Sequence, residues 1–419
     1  MLHQIEKDKI GPQAEPMAKA IETCVHCGFC LPTCPTYATM GEEMDSPRGR
    51  IFLMKEVLEG KMEQEDIASY TDNCLGCLAC VTSCPSGVEY GELISPYRAW
   101  TEPKRARSFA SRIQRKILLN TLPNPSRFRI AAKMSKYVKP LNSIMPGFMK
   151  PMMDLAPSSL PESDPLEERY PAKGKRKGRV ALLAGCAQQV LAPRINRAAI
   201  NVLIEHGIEV LVPKEQGCCG ALAMHIGESE EAKKSARRNL SAFPKDVDAI
   251  ISTAAGCGSG MKEYGLLFHG EKEMETAKTF ADQVIDVSVY LDKIGFEPSD
   301  ECAGVHMKVA YHDACHLAHA QGVRNPPREL LKSVPGLELL EPAEWEICCG
   351  SAGTYNIEHP DTAEQLGKRK VDNLLATGAQ AIAMGNIGCM AQVERHLRES
   401  GSDIPVYHTI ELLDRRSKT

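Results

Sequence analysis

Two short cysteine-rich runs constrain this chain more than any other feature of its sequence. Each run has the pattern CxxCxxCxxxCP, and 39 residues, 35 to 73, separate them. Three thiols spaced in this way can surround one face of an iron–sulfur cubane, while the fourth points away from it. The residues are Cys24, Cys27, Cys30 and Cys34 in the first run, and Cys74, Cys77, Cys80 and Cys84 in the second.

This spacing predicts two [4Fe–4S] clusters that exchange one ligand. In two-cluster ferredoxins the fourth cysteine of each run ligates the other cluster. Zinc is the alternative, because paired CxxC units can form tetrahedral sites. Zinc, however, does not require a third cysteine, a fourth cysteine and a proline in both runs. The expected ligand sets are Cys24, Cys27, Cys30 and Cys84 for one cluster, and Cys74, Cys77, Cys80 and Cys34 for the other.

A helix is expected between the two runs. Ser46 can cap it, Pro47 can occupy its first turn, and it can extend to Leu58. Arg48 and Arg50 lie near its start and could brace a cluster, although exposed arginines without such a role are the simpler interpretation. We therefore expect a helical ferredoxin-type domain with two clusters over residues 1–100.

Composition argues against a secreted disulfide protein. The chain has 419 residues, 17 cysteines and a formal charge of −4. Its first residues are charged without an apolar core, and no run reaches about 18 apolar residues. Because cysteines in a reducing compartment are more often metal ligands than disulfides, we expect a cytoplasmic protein. The small negative charge gives no reason to expect nucleic acid as a partner.

Residues 101–178 contain no cysteine and many basic residues, which predicts a basic helical linker. Between Ser108 and Asn120, the side chains of Phe109, Ile113 and Ile117 recur at helical spacing with basic residues on the other faces. Such a helix could lie on an anionic membrane surface or on a partner protein. Packing on its own domain with a solvated basic face is the simpler interpretation. Peripheral association with the inner face of the membrane is a secondary hypothesis.

From residue 179 onward the sequence repeats. RVALLAGC, GCCGALAMH and AIISTAAGC in one half correspond to KVAYHDAC, ICCGSAGTY and AIAMGNIGC in the other. Strand-like runs alternate with helical stretches, which is typical of α/β folds with parallel strands and sites at the strand ends. We expect two α/β modules, residues 179–299 and 300–419. The predicted strands are 180–183, 208–212, 249–253, 309–312, 337–340 and 381–384, and the predicted helices include 228–240 and 362–375.

Each module contains four cysteines that could form one metal site. Neighbouring side chains of an extended segment point in opposite directions, so an adjacent cysteine pair can ligate one metal only in a tight turn, which the following glycine permits. Nearby histidines could add ligands or hydrogen-bond to the thiolates instead. The candidate sets are Cys186, Cys218, Cys219 and Cys257, and Cys315, Cys348, Cys349 and Cys389, with His225, His312, His316 and His319 nearby.

The duplicated C…CCG…C pattern resembles the cysteine-rich CCG domain of heterodisulfide reductase B subunits and of iron–sulfur subunits of flavin dehydrogenases. With CVHCGFC, PTCPTY, DSPRGRI, CPSGV, KEYG and NIGC in this order, the chain resembles the glycolate oxidase iron–sulfur subunit family over almost its whole length. It departs from the full CCG pattern, whose last cysteine belongs to a CxxC, at Ala254 and Asn386. This departure argues against non-cubane double clusters and leaves an ordinary [4Fe–4S] cluster, a zinc ion or no metal in each module.

The resemblance implies an electron-transfer subunit of glycolate dehydrogenase without a catalytic site of its own. No GxGxxG follows a strand and no CxxCH occurs, so neither a dinucleotide fold nor c-type haem is indicated. FAD on separate partner subunits would oxidise glycolate to glyoxylate, and the electrons would leave toward a quinone-type acceptor. The alternatives are D-lactate or glycerol 3-phosphate as the substrate of the complex, and heterodisulfide-reductase-like catalysis by the modules.

Overall fold

The computed structural model describes residues 4–138, 149–155, 157, 159–298 and 306–414. The expected boundary between the two modules, at residues 299 and 300, lies outside the described residues. An N-terminal helical region surrounds the eight cysteines of the two runs. Its elements are α1 (Lys7–Ile10), α2 (Ala14–Thr23), α3 (Pro35–Met40), a 3-10 turn (Glu43–Asp45), α4 (Pro47–Leu58), α5 (Ala68–Asn73), α6 (Ala79–Thr82), α7 (Gly91–Thr101) and a second 3-10 turn (Glu102–Lys104).

Helix α4 is the helix that the sequence predicts between the cysteine runs. The Ser46 side chain accepts a hydrogen bond of 3.0 Å from the backbone N–H of Gly49, and Pro47 occupies the first turn. Its apolar face, which includes Ile51 and Met54, is buried in one core with Met17 of α2. The cap and this packing fix the helix against the cysteine loops.

The segment after α7 is helical, as expected, and carries α8 (Phe109–Thr121), α9 (Pro125–Val138) and α10 (Lys150–Asp154). Ser108 caps α8, and the helix packs on the protein through buried Arg115 and Leu118. Phe109 and Ile117 instead lie on its outer side, where they are 72% and 36% exposed. No helix in the described part of the chain has the length and apolarity needed to cross a membrane.

The two predicted modules are α/β units, each built on its own sheet. The first sheet has the strand order β1-β3-β2-β4-β5, in which all pairs are parallel except β1–β3, and the second has the all-parallel order β7-β6-β8-β9. The first module contains β1 (Arg169–Tyr170), β2 (Gly178–Leu182), α11 (Gln188–Leu191), α12 (Pro193–Glu205), β3 (Ile208–Leu211), α13 (Ala221–His225), α14 (Ser229–Ala242), β4 (Ala249–Ser252), α15 (Ala255–Lys262), α16 (Tyr264–Leu267), α17 (Met274–Gln283), β5 (Val284–Asp286) and α18 (Val287–Lys293). The second contains β6 (Met307–His312), α19 (Cys315–Ala318), α20 (Asn325–Ser333), β7 (Leu337–Leu340), α21 (Tyr355–Glu358), α22 (Pro360–Leu375), β8 (Ala381–Met384), α23 (Ile387–Glu399), β9 (Val406–His408) and α24 (Thr409–Leu413).

Both modules contribute to one continuous hydrophobic core. It joins Ile195 and Leu291 of the first module to Leu331 and Ile410 of the second. A buried hydrogen bond of 2.6 Å from His408 to the carbonyl of Thr253 also links them. Every candidate cysteine of the modules follows the carboxyl end of a parallel strand, as predicted. In the second module, Cys315 and Cys348 pack with Cys77 of the N-terminal region.

Candidate iron–sulfur sites

The first thiol site is a cavity in the N-terminal region lined by Cys24, Cys27, Cys30 and Cys84. Cys80 also reaches its wall. Burial raises the pKa of Cys24, and the neighbouring Cys84 thiol raises it further. The fold therefore places three cysteines of the first run beside the fourth cysteine of the second.

The second thiol site is a cavity lined by Cys34, Cys74, Cys77 and Cys80. Here the fourth cysteine of the first run joins three cysteines of the second. Cys34, Cys74 and Cys77 are buried, whereas Cys27 of the first site is exposed. One site thus borders solvent and the other lies inside the protein.

Polar groups around Cys74 of the second thiol site favour the thiolate form that binds iron. Cys74 Sγ accepts from the backbone N–H of Gly76 at 3.4 Å and from the Tyr90 hydroxyl at 3.8 Å. Burial alone raises the pKa of Cys74, but the charges of Arg50 and Arg98, together with these hydrogen bonds, bring it below its ordinary value. Since thiolates are the ligands of iron–sulfur clusters, the donor set fits a [4Fe–4S] cluster.

Arg50 borders the second thiol site, and the expectation that its side chain is exposed is wrong. Its side chain is 1% exposed and lies 3.9 Å from Cys34 Sγ. It donates to Asp45 at 2.8 Å, to the Thr36 hydroxyl at 3.0 Å and to the carbonyl of Tyr70 at 2.6 Å. The helical register of Arg50 could have indicated its burial, since positions 50, 53, 54 and 57 form one buried face of α4.

Arg48 is half-buried and also contacts a cysteine loop. Its guanidinium pairs with Glu43 at 2.6 Å and donates to the carbonyl of His26 at 3.2 Å. His26 lies between Cys24 and Cys27 and has a positive φ of 53°. Arg48 therefore holds the turn of the first cysteine run, whereas Arg50 borders the second site.

Two histidines of the modules hold the loop that carries Cys74 and Cys77. His225 Nε2 lies 2.7 Å from the carbonyl of Leu75, and His316 Nε2 lies 3.1 Å from the carbonyl of Gly76. Burial lowers the pKa of His225 to about 3, so a neutral imidazole donates through Nε2–H. Gly76 has φ +61°, and a Cβ there would lie 2.8 Å from the His225 ring, so this contact requires glycine.

In the first module the four candidate thiols lie together. Cys186 Sγ is 3.6 Å from Cys218 Sγ, and the Cys219 thiol interacts with both Cys218 and Cys257. The turn that aims the adjacent pair at one site uses Gly220, which has φ +80°. The predicted role of this glycine is confirmed.

The second module brings its four thiols together in the same way and adds a histidine. Cys315 Sγ is 3.9 Å from Cys348 Sγ, and the Cys349 thiol interacts with Cys348, Cys389 and His312. Ligand atoms of His312, Cys349 and Cys389 all lie within 4.8 Å of one another. Apart from this contact with Cys349, neither ring nitrogen of buried His312 makes a hydrogen bond with the described residues.

The two modules differ at the positions around these thiols. The counterpart of His312 in the first module is Leu183, a buried side chain with no donor atom. Asn386 donates to Cys389 Sγ at 3.3 Å and accepts from the backbone N–H of Gly256 at 3.2 Å, whereas its counterpart Ala254 offers no polar side chain. His319 does not reach the thiols and instead contacts Thr82 Oγ1 at 2.8 Å. Only the second module therefore has a histidine beside its cysteines among the described residues.

The second thiol site is adjacent to the cysteines of the second module. Cys77 and Cys348 belong to one small core, with Cys315 packed against it. The pKa of Cys77 is raised by burial and then by the charge of the Cys315 thiolate. The cysteines thus form a series from the exposed first site, through the buried second site, to the second module.

Comparisons with known proteins match this arrangement along the chain. The model of the 4Fe-4S dicluster domain matches residues 20–88, and that of the cysteine-rich CCG domain matches residues 180–262 and 309–394. The probable glycolate oxidase iron-sulfur subunit of Bacillus subtilis is 35% identical over 411 residues, covering 93% of this chain and 92% of that protein. The chain belongs to the glycolate oxidase iron–sulfur subunit family. The Escherichia coli glycolate oxidase iron-sulfur subunit is 36% identical over 401 residues, covering 94% of this chain and 93% of that protein.

Two further matches are more distant. Lactate utilization protein A of Oceanobacillus iheyensis is 30% identical over 238 residues, which cover 56% of this chain and 96% of that protein. A crystal structure of a hypothetical protein from Helicobacter pylori has a TM-score of 0.53 and 10% identity, covers 98% of this chain and 73% of that chain, and shows the fold alone. As a member of the glycolate oxidase iron–sulfur subunit family, the chain is an iron–sulfur electron-transfer subunit with two [4Fe–4S] clusters in its dicluster domain.

Proposed function

We propose that this chain is the electron-transfer subunit of a flavin-dependent glycolate dehydrogenase. FAD on separate subunits oxidises glycolate to glyoxylate, and this chain passes the electrons toward a quinone-type acceptor. The observation that carries the proposal is the series of thiol sites, which runs from an exposed site to a buried site and on to the second module. The names of two relatives aligned over almost their full length favour glycolate, whereas the lactate utilization relative aligns with 56% of the chain.

The ligand sets form part of this proposal. Bound clusters accept and release single electrons. We assign Cys24, Cys27, Cys30 and Cys84 to the first cluster, and Cys34, Cys74, Cys77 and Cys80 to the second. Each set lines one cavity, which supports the exchange of the fourth cysteines. We also propose that the chain divides into domains at residues 1–100, 101–178, 179–299 and 300–419. Within the second of these segments, Arg169–Tyr170 pairs with the first sheet as strand β1.

Serine variants test the exchange of ligands directly. Under this assignment Cys84→Ser perturbs the same electron paramagnetic resonance signal as Cys24→Ser, and Cys34→Ser perturbs the same signal as Cys74→Ser. The measurement is made on the full chain, purified and reduced without oxygen. A Cys84→Ser spectrum that matches that of Cys74→Ser would contradict the assignment.

The exposed side of the first site supports docking of the flavin subunit there. Val25 and Phe29 line the first cavity beside Cys27, and they are 65% and 67% exposed. Apolar side chains so exposed are common at protein–protein contacts. A flavoprotein seated on them would bring its FAD toward the cluster nearest to solvent.

We call the outer surface of α8 and α9 the basic apolar face. It supports the proposal that this chain is a cytoplasmic protein that binds peripherally to the inner face of the membrane. Neither helix contains an acidic residue. Exposed hydrophobic and basic side chains of this kind bind anionic lipid surfaces. The face comprises Phe109, Ile117, Ile130, Met134 and Tyr137 together with Arg112, Lys116, Arg127 and Lys133.

Each module is further proposed to hold a metal or an additional cluster on its four thiols. Cys186, Cys218, Cys219 and Cys257 form one set, and Cys315, Cys348, Cys349 and Cys389 form the other, with His312 as an additional ligand in the second. Metal analysis of anaerobically prepared chain distinguishes the contents. About eight irons per chain without zinc would mean two clusters alone and would contradict this part of the proposal.

The substrate is tested on the reconstituted complex. FAD-containing subunits of a glycolate dehydrogenase are mixed with this chain anaerobically, and glycolate or D-lactate is added. We expect glycolate to reduce the clusters, seen as loss of their visible absorption and appearance of the resonance signals of the reduced state. Reduction by D-lactate alone would replace glycolate in the proposal, and reduction by neither substrate would overturn it.

A further inference from the structure

A large cavity lies where the N-terminal region, α8 and both modules meet. Its volume is about 460 Å³, which is within the range of small-molecule sites in proteins. Cys74, a member of the second thiol site, lines it together with Ser111 of α8 and with Tyr355 and His359 of the second module. A ligand in this cavity would therefore lie beside a cluster ligand.

The charged side chains of the cavity wall are mostly paired with one another. Asp72 pairs with Arg105 at 2.9 Å, Glu102 pairs with Arg107 at 2.6 Å, and Glu358 pairs with Arg115. The remaining guanidinium, that of Arg98, donates to backbone carbonyls, including that of Cys74. Because these ion pairs are already formed, the wall suits a neutral ligand with hydrogen-bond acceptors better than an organic acid.

Tyr355 and His359 provide polar groups that the protein itself does not fully use. The hydroxyl of buried Tyr355 has no hydrogen bond of ordinary geometry among the described residues and makes only a poorly aligned contact with Thr362. The His359 ring stacks on that of Tyr355, with centroids 4.6 Å apart. A buried donor whose hydrogen bond is poorly aligned costs stability, so a ligand oxygen that accepts from Tyr355 would be favoured.

We propose that this cavity binds the quinone that receives electrons from the second cluster. This inference rests on the function proposed above. Reduction of one quinone to a quinol takes two electrons, delivered singly from the second site, and two protons that come from solvent through the polar groups of the wall. The two quinone oxygens are neutral acceptors of the kind that this wall suits.

The position of α8 supports a quinone over other electron acceptors. Ser111 lines the cavity, whereas Phe109 and Ile117 of the same helix belong to the basic apolar face. The cavity thus lies directly behind the surface proposed to meet the membrane. A quinone is dissolved in the membrane through its isoprenoid chain, so it would enter from this side.

Photoaffinity labelling tests where a quinone binds. The full chain with its clusters is illuminated with an azido derivative of a short-chain ubiquinone, and the labelled peptides are identified by mass spectrometry. We expect labels within residues 98–115 and 352–360. Ser111→Trp should abolish them by filling the cavity, whereas Asn120→Trp, an exposed position on the same helix, should not change them. Labels elsewhere, or full labelling of Ser111→Trp, would overturn the proposal.

Tyr355→Phe tests the hydrogen bond without a change in ring packing. Loss of one hydrogen bond weakens binding about threefold to tenfold, and titration of ubiquinone-1 against the chain's fluorescence measures this change. The cluster signals after dithionite reduction show that each variant is folded. If glycolate and the flavin subunits fail to reduce the clusters, the proposed function fails. If they reduce the clusters normally but Tyr355→Phe binds quinone as the wild type does, the cavity assignment alone fails.

Discussion

Replacement of Arg50 by glutamine should lower the reduction potential of the second cluster. The guanidinium is buried 3.9 Å from Cys34 Sγ, and its charge also acts on Cys74. A reduced cluster carries one more negative charge than an oxidised cluster, so a fixed positive charge beside it stabilises the reduced state. Arg50→Gln removes that charge and therefore makes the second cluster harder to reduce.

The size of the shift follows from Coulomb's law. Two unit charges about 4 Å apart interact by about 4 kcal/mol at an effective dielectric constant of about 20. The added electron is shared by the whole cluster, and Asp45, 2.8 Å from the guanidinium, offsets part of the charge. Because about 2.3 kcal/mol corresponds to 100 mV for one charge, we expect a decrease on the order of 50–100 mV.

An anaerobic redox titration followed by electron paramagnetic resonance measures both potentials on the full chain. Cys74→Ser identifies the signal of the second cluster. Arg50→Lys keeps the charge and should stay close to wild type, whereas Asp45→Asn should raise the potential. The variant with both Arg50→Gln and Asp45→Asn avoids an unpaired buried charge, which costs about 3–5 kcal/mol. If Arg50→Gln leaves both signals intact and the second potential unchanged, the electrostatic reasoning is refuted.

Three further predictions concern other parts of the chain. Ile130→Glu combined with Met134→Glu should weaken binding to anionic vesicles at least tenfold in cosedimentation, since burying each side chain contributes about 1.5–3 kcal/mol. Phe52→Glu on α4 should leave the binding unchanged, and equal binding by the wild type, the double variant and Phe52→Glu would argue against the basic apolar face. Burial raises the pKa of Asp286 to about 6 from 3.8, so between these values the unfolded chain loses this proton while the folded protein keeps it, and stability falls as the pH rises. The stability gained by Asp286→Asn should therefore grow from pH 4 to pH 7, up to about 3 kcal/mol, and is measured as an increasing difference in melting temperature from wild type. A difference independent of pH would contradict this. His312→Leu, which copies the first module, should lower the metal content of the second module only, and an unchanged metal analysis would count against His312 as a ligand.

The sequence predicted the strands that have strong apolar character and missed the shortest ones. The six predicted strands are present within one to two residues of their predicted ends. β5 and β9 have three residues each and β1 has two. So short a segment has little periodicity of its own, and its pairing depends on tertiary contacts.

The candidate sites, like the strands, could be predicted from the sequence only in part. Cysteine spacing is visible in the sequence itself, so the candidate thiol sets could be proposed from it. The contacts of His225 and His316 with Leu75 and Gly76 join residues 150 and 240 positions apart, and no local pattern encodes them. The burial of Arg50 was visible in its helical register, but its charge suggested exposure.

The unequal burial of the two ferredoxin sites has a consequence for how this protein ages in air. Oxygen reaches the first site at Cys27, which is exposed, before it reaches the second, whose cysteines are mostly buried. Oxidative decay should thus proceed in order, and a briefly aerated sample should retain the inner cluster while losing the outer one. Such a chain would remain folded and coloured while lacking one of its two clusters, so colour alone would overstate the fraction of intact protein in a preparation.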